Sequence, residues 1–335
     1  MPPDPLPFVS VIMPVRNEVG WIERSLGAVL GQDYPADRFE VLVADGGSTD
    51  GSDEMLAGFA RRDPRVRLIA NPERIVATGL NRAIRAARGS VIARVDAHTV
   101  LASDYLRCGI DALERTGADN VGGPMVTSGG GAVGEAVSTA MGSRLGIGAT
   151  FHFAGNEHES DTTYMGMWPR AVLARVGLFD EELVRNQDDE LNYRIRAAGG
   201  HIIVSPLLRS RYQNRQSWVA LIRQFFEYGL WKVRLLQKHP GQMSVRHFIP
   251  PAFDLLLIAA FAVSPFYAVM GRLAVAALTG YLLVMAGVSL VQGGGVAGRA
   301  RLLAAFVAIH HSWALGFLVG LLRFSGRWLR SESAP

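Results

Sequence analysis

Three short stretches carry side chains suited to chemistry. The first is Asp96-Ala97-His98. A carboxylate and an imidazole two positions apart, leaving a predicted strand, can share one divalent cation that also holds a diphosphate. Carboxylate oxygen suits Mg2+ or Mn2+, and the imidazole tilts the choice toward Mn2+. The plainer account is a turn, where Asp is common. The second stretch is Asp45-Gly46-Gly47-Ser48-Thr49-Asp50. Its glycines let backbone approach a ligand closely, and Asp45 can accept hydrogen bonds from a nucleobase. Ser48 or Thr49 can equally do no more than cap the next helix. The third is Asn186-Gln187-Asp188-Asp189-Glu190-Leu191-Asn192-Tyr193-Arg194. Acids at a helix start suit its dipole, and Glu190 can pair with Arg194 at i,i+4. Asp188, however, shares a helix side with Leu191 and Ile195. That turns its carboxylate toward the interior, where it could take a proton from a hydroxyl nucleophile.

The elements that must position these residues follow from hydrophobic periodicity. Apolar, β-rich runs predict strands at Phe8–Val15, Phe39–Ala44, Val66–Ala70 and Ser90–Val95, with helices over Glu18–Leu30 and Ala77–Ala87. The alternation predicts an α/β fold with a doubly wound, mostly parallel sheet. Ligands bind at the carboxyl ends of such strands, and Asp45 and Asp96 both fall there. Ala118–Val126 reads as a strand and Asp188–Ala198 as a helix. Phe151–Thr163, with His152, Glu157, His158, Glu159 and Asp161, reads as a polar loop over the site. Gly129-Gly130-Gly131-Ala132-Val133-Gly134 matches the dinucleotide glycine pattern, but no strand and later acidic residue frame it, so it reads as a flexible loop. No P-loop motif occurs. Cys108 reads as helix packing and His201 as a structural residue opening a strand.

Composition shows a split. Of 335 residues 49% are hydrophobic and 19% charged, against about 25% charged in typical soluble domains. From Leu255 to Ser331 there is no Asp or Glu and there are six Arg. Three apolar stretches, Ala252–Met270, Leu273–Val291 and Leu302–Leu322, each approach the ~20 residues that cross a bilayer. The first holds Asp254 and Pro265. The third holds His310 and His311, which face lipid poorly unless they turn toward protein. Arg299 and Arg301 before the third stretch, and Arg323, Arg327 and Arg330 after it, both vote for the cytoplasmic side. Three full crossings cannot satisfy both, which leaves one stretch re-entrant or interfacial. Ser217–Leu236 mixes Trp218, Ile222, Phe225, Phe226, Tyr228 and Trp231 with Arg223, Lys232 and Arg234. It fits an interfacial helix or an ordinary packed one. The predicted division is therefore 1–215, a catalytic domain; 216–250, an amphipathic interfacial region; and 251–335, a membrane region of two to three spans. Met1–Pro7 lacks the apolar core of a secretory signal. One cysteine excludes an intrachain disulfide and a cysteine-built zinc site. A net charge of +4 is too small and dispersed for nucleic acid.

Taken in order, Pro14-Val15-Arg16-Asn17-Glu18, Gln32-Asp33-Tyr34-Pro35, Asp45 to Gly51, Asn81 with Gly89, Asp96-Ala97-His98, Gly177-Leu178-Phe179-Asp180-Glu181, and Asp188 with Arg194 resemble family 2 glycosyltransferases of GT-A fold. The resemblance covers residues 8 to about 236. The Asp-Ala-His variant, the Asn186–Arg194 stretch, Arg223–Gly229 and the hydrophobic tail resemble the bacterial succinoglycan-type exopolysaccharide glucosyltransferases. The resemblance implies that Pro14, Arg16, Glu18, Asp45, Asn81 and Asp96 line the nucleotide-sugar site, with Asp45 on uracil. It implies Asp96 as ligand of Mn2+ or Mg2+, with His98 standing where the family usually has a second Asp. It implies Asp188 as base, with Gln187 replacing the Glu of the family's Glu-Asp pair. Met165, Gly166, Trp168, Asp189, Arg194 and Gln224 would lie near the acceptor. The implied activity is inverting transfer of one sugar, from UDP-glucose or another UDP-hexose, to a lipid-linked polyprenyl diphosphate acceptor. It would occur at the cytoplasmic membrane, with the catalytic domain facing the cytoplasm.

Rival functions make different demands. A polyprenyl-phosphate sugar synthase needs no base, because its phosphate acceptor is already ionised. A processive synthase resembles a Gln-x-x-Arg-Trp carrier, and here Gln224 is followed by Phe225-Phe226-Glu227-Tyr228. A sugar nucleotidyltransferase wants a Gly-rich basic loop after the first strand. An oxidoreductase rests on the misplaced glycines alone, and a membrane scaffold would keep the fold without turnover.

Overall fold

The computed structural model describes residues 6–146, 155–214 and 216–328. The chain forms two compact units, Met1–Val126 with Ala149–Gln213, and Thr127–Gly148 with Asn214–Pro335. In chain order the elements are β1 (Val9–Val15), α1 (Val19–Leu30), β2 (Phe39–Asp45), α2 (Ser52–Arg62), β3 (Val66–Ala70), α3 (Val76–Ala86), β4 (Val91–Arg94), β5 (Thr99–Leu101), α4 (Tyr105–Thr116), β6 (Asn120–Gly123), β7 (Val126–Ser128) and α5 (Gly131–Met141). There follow β8 (His158–Glu159), β9 (Tyr164–Pro169), α6 (Arg170–Val176), α7 (Gln187–Ala197), β10 (Ile202–Val204), β11 (Ser210–Gln213), α8 (Trp218–Lys238), α9 (Ile249–Val263), α10 (Ala268–Gln292) and α11 (Gly295–Arg323).

The first unit is built around an eight-stranded sheet in the order β3-β2-β1-β4-β9-β6-β10-β8, with β5 and β11 pairing antiparallel in a smaller sheet. β1 pairs in parallel with β2 and β4, β2 with β3, and β6 with β10. Strands covered on both faces are mostly apolar, which is why β1 and β2 read as apolar runs; their two interior polar residues, Ser10 and Glu40, are buried and hydrogen-bonded to each other at 2.8 Å. Because β2 lies on one side of β1 and β4 on the other, the order reverses beside β1. That opens a crevice at the strand carboxyl ends. One sheet face packs Ile12, Leu42 and Ile92 against Leu80, Leu173, Leu191 and Ile195 from α3, α6 and α7.

β9 was not expected. It runs antiparallel between β4 and β6, and its sequence, YMGMWP, lacks a strand's alternation. Met165 and Gly166 both take positive φ, 61° and 40°. Its neighbour β6 must be glycine at its end: a Cβ on Gly123 would lie 1.7 Å from the Leu208 carbonyl oxygen. Of the expected polar loop, residues 151–154, including His152, lie outside the described residues, and His158–Glu159 forms β8 against β10. The Gln32–Pro35 stretch is a clasp. Gln32 Nε2 donates to the carbonyls of Ala28 (3.0 Å) and Ala102 (2.7 Å), and its Oε1 accepts from the Leu106 amide (2.9 Å).

In the second unit the expected flexible glycine run begins a helix. Gly129 packs on the Gly134 backbone, where a Cβ would come within 2.1 Å, and α5 starts at Gly131. Residues 127–148 group with the C-terminal helices, although the sequence reading kept them with the first 215 residues. Among the described residues three segments are long and apolar enough to cross a membrane: Val245–Val263, Ala268–Gln292 and Gly295–Arg323. The first stops at Val263, short of Met270, because Pro265 in the following turn disfavours helix in the residue before it and cannot itself continue one. His310 and His311 turn toward protein. His311 Nδ1 lies 2.7 Å from Asp254 Oδ1, Tyr281 Oη 3.0 Å from His310 Nδ1, and His310 Nε2 donates to the Leu145 carbonyl at 2.8 Å.

α8 packs along α11, so the packed-helix account holds for that side, while Val219 and Ile222 on α8 stay exposed. The seam is backbone on backbone. A Cβ on Gly229 would sit 2.0 Å from the Trp313 carbonyl oxygen, and one on Gly316 2.0 Å from that of Phe226. Gly229→Ala should therefore force the helices apart and cost about 1–3 kcal/mol. Thermal unfolding in detergent checks this, and an unchanged midpoint would contradict the seam.

Candidate active site

The carboxyl ends of β1 and β2 are laced together. The Asn17 amide donates to Ser48 Oγ at 2.9 Å, and Asn17 Oδ1 accepts from the Thr49 amide at 2.8 Å. The Glu18 amide donates to Ser52 Oγ at 2.9 Å and the Val19 amide to Asp50 Oδ2 at 3.1 Å. Asn17 holds a φ of 56°, a conformation Asn tolerates better than most residues. Asp45 accepts from Ser48 Oγ at 2.6 Å and from the Ser48 amide at 3.2 Å. Arg16 runs beside Gly46, and the exposed Arg74 guanidinium lies along Gly47, 3.4 Å from where a Cβ would be. Pro14, Arg16 and Asp45 thus frame a rigid two-loop wall.

Across the crevice, β4 delivers Arg94, Asp96 and His98. Arg94 grips Asp96 with two nitrogens, Nε to Oδ1 at 2.8 Å and Nη2 to Oδ2 at 3.3 Å. Burial works to raise the Asp96 pKa, but Arg94 and then His98 outweigh it and hold the carboxyl below its ordinary value. His98 Nδ1 lies 3.1 Å from Glu18 Oε1, and the Tyr212 ring meets the imidazole edge-on at 5.1 Å. If Nδ1 carries the proton toward Glu18, the Nε2 lone pair is left for a cation; a carboxylate behind a ligating histidine commonly sets this arrangement. Glu18, expected on the nucleotide, is placed behind His98 instead.

α7 starts at the left-handed Asn186, φ 63°. Its buried Leu191 and Ile195 fix the helix on the sheet, which leaves the half-buried Asp188 on the inner side. The Asp188 pKa is raised: burial is the main cause, and Asp189 and Asp96 add to it against the pull of Arg94. Asp188 therefore belongs to one charged network with Arg94 and Asp96. The Asp189 amide donates to Asp188 Oδ1 at 3.0 Å.

Several expected site residues do other work. Asn81 is 1% exposed. Its amide donates to the Phe179 carbonyl and Glu181 Oε1, each at 2.8 Å, and accepts from the Phe179 amide at 3.0 Å. Fully spent this way, it ties α3 to the Gly177–Glu181 turn and is not offered to a nucleotide. Arg194 holds both Glu190 oxygens at 2.7 Å and the carbonyls of Val176 and Leu178, so it clasps the same turn. Trp168 is 2% exposed and packs edge-on to Phe179 in the core. Met165 and Gly166 are buried in β9. Gln224 belongs to α8 in the second unit and donates to Tyr228 Oη at 2.9 Å. Arg94, Arg74 and Tyr212 were missed. Only Arg94 left a signal: a lone cation inside an apolar strand.

The sheet order and the crevice beside β1 are those of a GT-A glycosyltransferase. The chain resembles the mannosyltransferase PcManGT from Pyrobaculum calidifontis, solved in complex with GDP-Man and Mn2+, with a TM-score of 0.54 and 20% identity over 98% of this chain and 88% of that one. The chain belongs to glycosyl transferase family 2, whose match spans residues 10–181. It is 30% identical to the succinoglycan biosynthesis protein ExoA of Rhizobium meliloti (strain 1021), across 95% of this chain and 96% of that protein. It is 25% identical to a Methanococcus voltae dolichyl N-acetyl-alpha-D-glucosaminyl phosphate 3-beta-D-2,3-diacetamido-2,3-dideoxy-beta-D-glucuronosyltransferase, over 75% of this chain and 80% of that one.

Proposed function

We propose that this glycosyltransferase moves one hexose from a UDP-sugar to a lipid-linked acceptor, with inversion, during assembly of a bacterial exopolysaccharide or cell-surface glycan. One observation supports the reading: the Asp188 carboxylate lies within electrostatic reach of Arg94 and Asp96, and burial raises its pKa. The relatives support it. One is named for succinoglycan biosynthesis, and the other acts on a sugar carried by dolichyl phosphate. The solved neighbour was captured with a nucleotide sugar and Mn2+.

The residues present fit a divalent cation. Asp96 is ionised and hydrogen-bonded, and His98 can present Nε2. Among the described residues no three His, Cys, Asp or Glu converge as a metal site. The protein would thus supply Asp96 and His98, and the donor diphosphate and water would supply the other ligands. When bound, the cation neutralises charge on the leaving diphosphate. Arg16 and Asp45 would hold the nucleobase side, and the hydrogen bonds lacing the two loops fix them before the donor arrives.

Asp188 takes the proton from the acceptor hydroxyl. The hydroxyl oxygen attacks the anomeric carbon on the face opposite the diphosphate. The new C–O bond forms as the bond to the diphosphate breaks with its electron pair, and configuration inverts. Asp189, next to the base, would face the acceptor, and Gln224 belongs to the helical unit that would meet the lipid. The enzyme would work at the cytoplasmic membrane, with its catalytic unit in the cytoplasm. The placement of Asp188 favours a hydroxyl acceptor over the phosphate of a polyprenyl-phosphate sugar synthase, which needs no base.

The test uses detergent-solubilised full-length protein with Mn2+ and a panel of UDP- and GDP-sugars, with and without bacterial lipid extract. Lipid-stimulated release of nucleoside diphosphate from one donor is expected, abolished by EDTA and restored by Mn2+. No release from any donor, together with no nucleotide binding, would sink the proposal.

A further inference from the structure

Arg94 stands where a strand buried between two others should be apolar. β4 lies between β1 and β9, and its neighbours in sequence, Ile92, Ala93 and Val95, are fully buried. The Arg94 side chain is itself only 8% exposed. A buried guanidinium is costly unless paired. The Arg94 guanidinium makes two hydrogen bonds to one carboxylate, that of Asp96. Ile92, Arg94 and Asp96 alternate onto one side of the chain, and Ile92 packs in the cluster that contains Leu191 and Ile195 of α7. The cation therefore lies on the side that carries Asp188, and its field reaches that carboxylate as well.

We infer that Arg94 is a positioning residue: its forked guanidinium occupies one lone pair on each Asp96 oxygen and thereby aims the remaining lone pairs at the bound cation. The inference rests on the proposed function, which makes Asp96 a metal ligand. A carboxylate on its short stem can rotate and offer either oxygen, or both at once. Held at both oxygens by one planar fork, it has a single orientation and one free direction per oxygen. A lysine at the same place would supply the charge but only a point contact, because the fork is what matches two carboxylate oxygens together. Charge and orientation can therefore be separated by experiment.

Arg94→Lys and Arg94→Gln are compared with the wild type as full-length protein in detergent. Three quantities are measured: Mn2+ affinity in the presence of UDP, uridine affinity without metal, and the unfolding midpoint. Uridine reports the β1–β2 wall and requires no cation. Arg94→Lys should weaken Mn2+ binding by about 10–100-fold, the range seen when a residue supporting a metal ligand is lost, while uridine affinity and the midpoint stay at wild-type values. Arg94→Gln should weaken Mn2+ binding at least as much. Wild-type Mn2+ affinity in a folded Arg94→Lys protein overturns the inference. So does a parallel loss of uridine binding, Mn2+ binding and midpoint, which would make Arg94 an ion pair that only holds the sheet together. Failure of the wild-type protein itself to bind Mn2+ with UDP is a different result, and it overturns the proposed function along with the inference.

Discussion

Asp188→Asn is expected to bind donor like the wild type and to lose most of its transfer, by about 10²–10⁴-fold, the contribution of a positioned base. Donor affinity and initial rate, measured on the same preparation, separate the two effects. Transfer at the wild-type rate would remove Asp188 from the mechanism. A pH profile adds an independent check. Because burial, Asp189 and Asp96 together raise the Asp188 pKa against Arg94, the wild-type rate should fall with decreasing pH at a point above the ordinary aspartate value. The residual rate of the variant should show no such limb. Stability should move the other way from activity. A carboxylate whose folded pKa exceeds its unfolded value disfavours the fold when ionised. Its penalty is absent below the unfolded pKa and grows as pH rises toward the folded one. At neutral pH the Asn variant lacks that penalty, so its unfolding midpoint should equal or exceed that of the wild type.

Asp96→Asn should do the reverse on both counts. The variant loses the ionised oxygen that would hold the cation, so Mn2+-dependent donor binding should disappear. It also strands the buried Arg94 without its partner. Breaking a buried pair by removing one member typically costs about 3–5 kcal/mol, which would appear as a markedly lower unfolding midpoint. The sign agrees with the titration of Asp96. Its folded pKa is depressed, so its stabilisation is present above the unfolded pKa and is lost only as pH falls through the folded one. Asp96 is therefore contributing in full at neutral pH. An Asp96→Asn protein with the wild-type midpoint would contradict the buried pair, and one with intact Mn2+-dependent binding would contradict the metal role.

The parts of this fold that could be read from sequence share a physical cause. β1, β2 and β4 are buried on both faces, so they appear as short apolar runs, and Asp45 and Asp96 stand out as the first charges beyond two of them. Asp188 was legible through its spacing to Leu191 and Ile195. What could not be read depends on partners far along the chain. β9 owes its strand to β4 and β6 and carries a glycine and a proline that argue against one. The Glu18–His98 pair joins residues 80 apart in sequence. Asn81 was assigned to the nucleotide because its motif carries no trace of Phe179 and Glu181, nearly 100 residues on, which consume its amide. Trp168 and Arg194 failed in the same way: each looked available until its tertiary partners were known.

The place of β9 also bears on the order in which the chain can fold. β4 and β6 are complete by Gly123, yet neither can close against the other, because the strand between them is Tyr164–Pro169. During synthesis two unpaired strand edges must wait for some forty residues to emerge. Long-range pairing of this kind folds slowly, and open edges invite pairing with other chains. A chain truncated just before Tyr164 should therefore aggregate, whereas one ending after β11 should stay soluble far better, although the two differ by only about fifty residues.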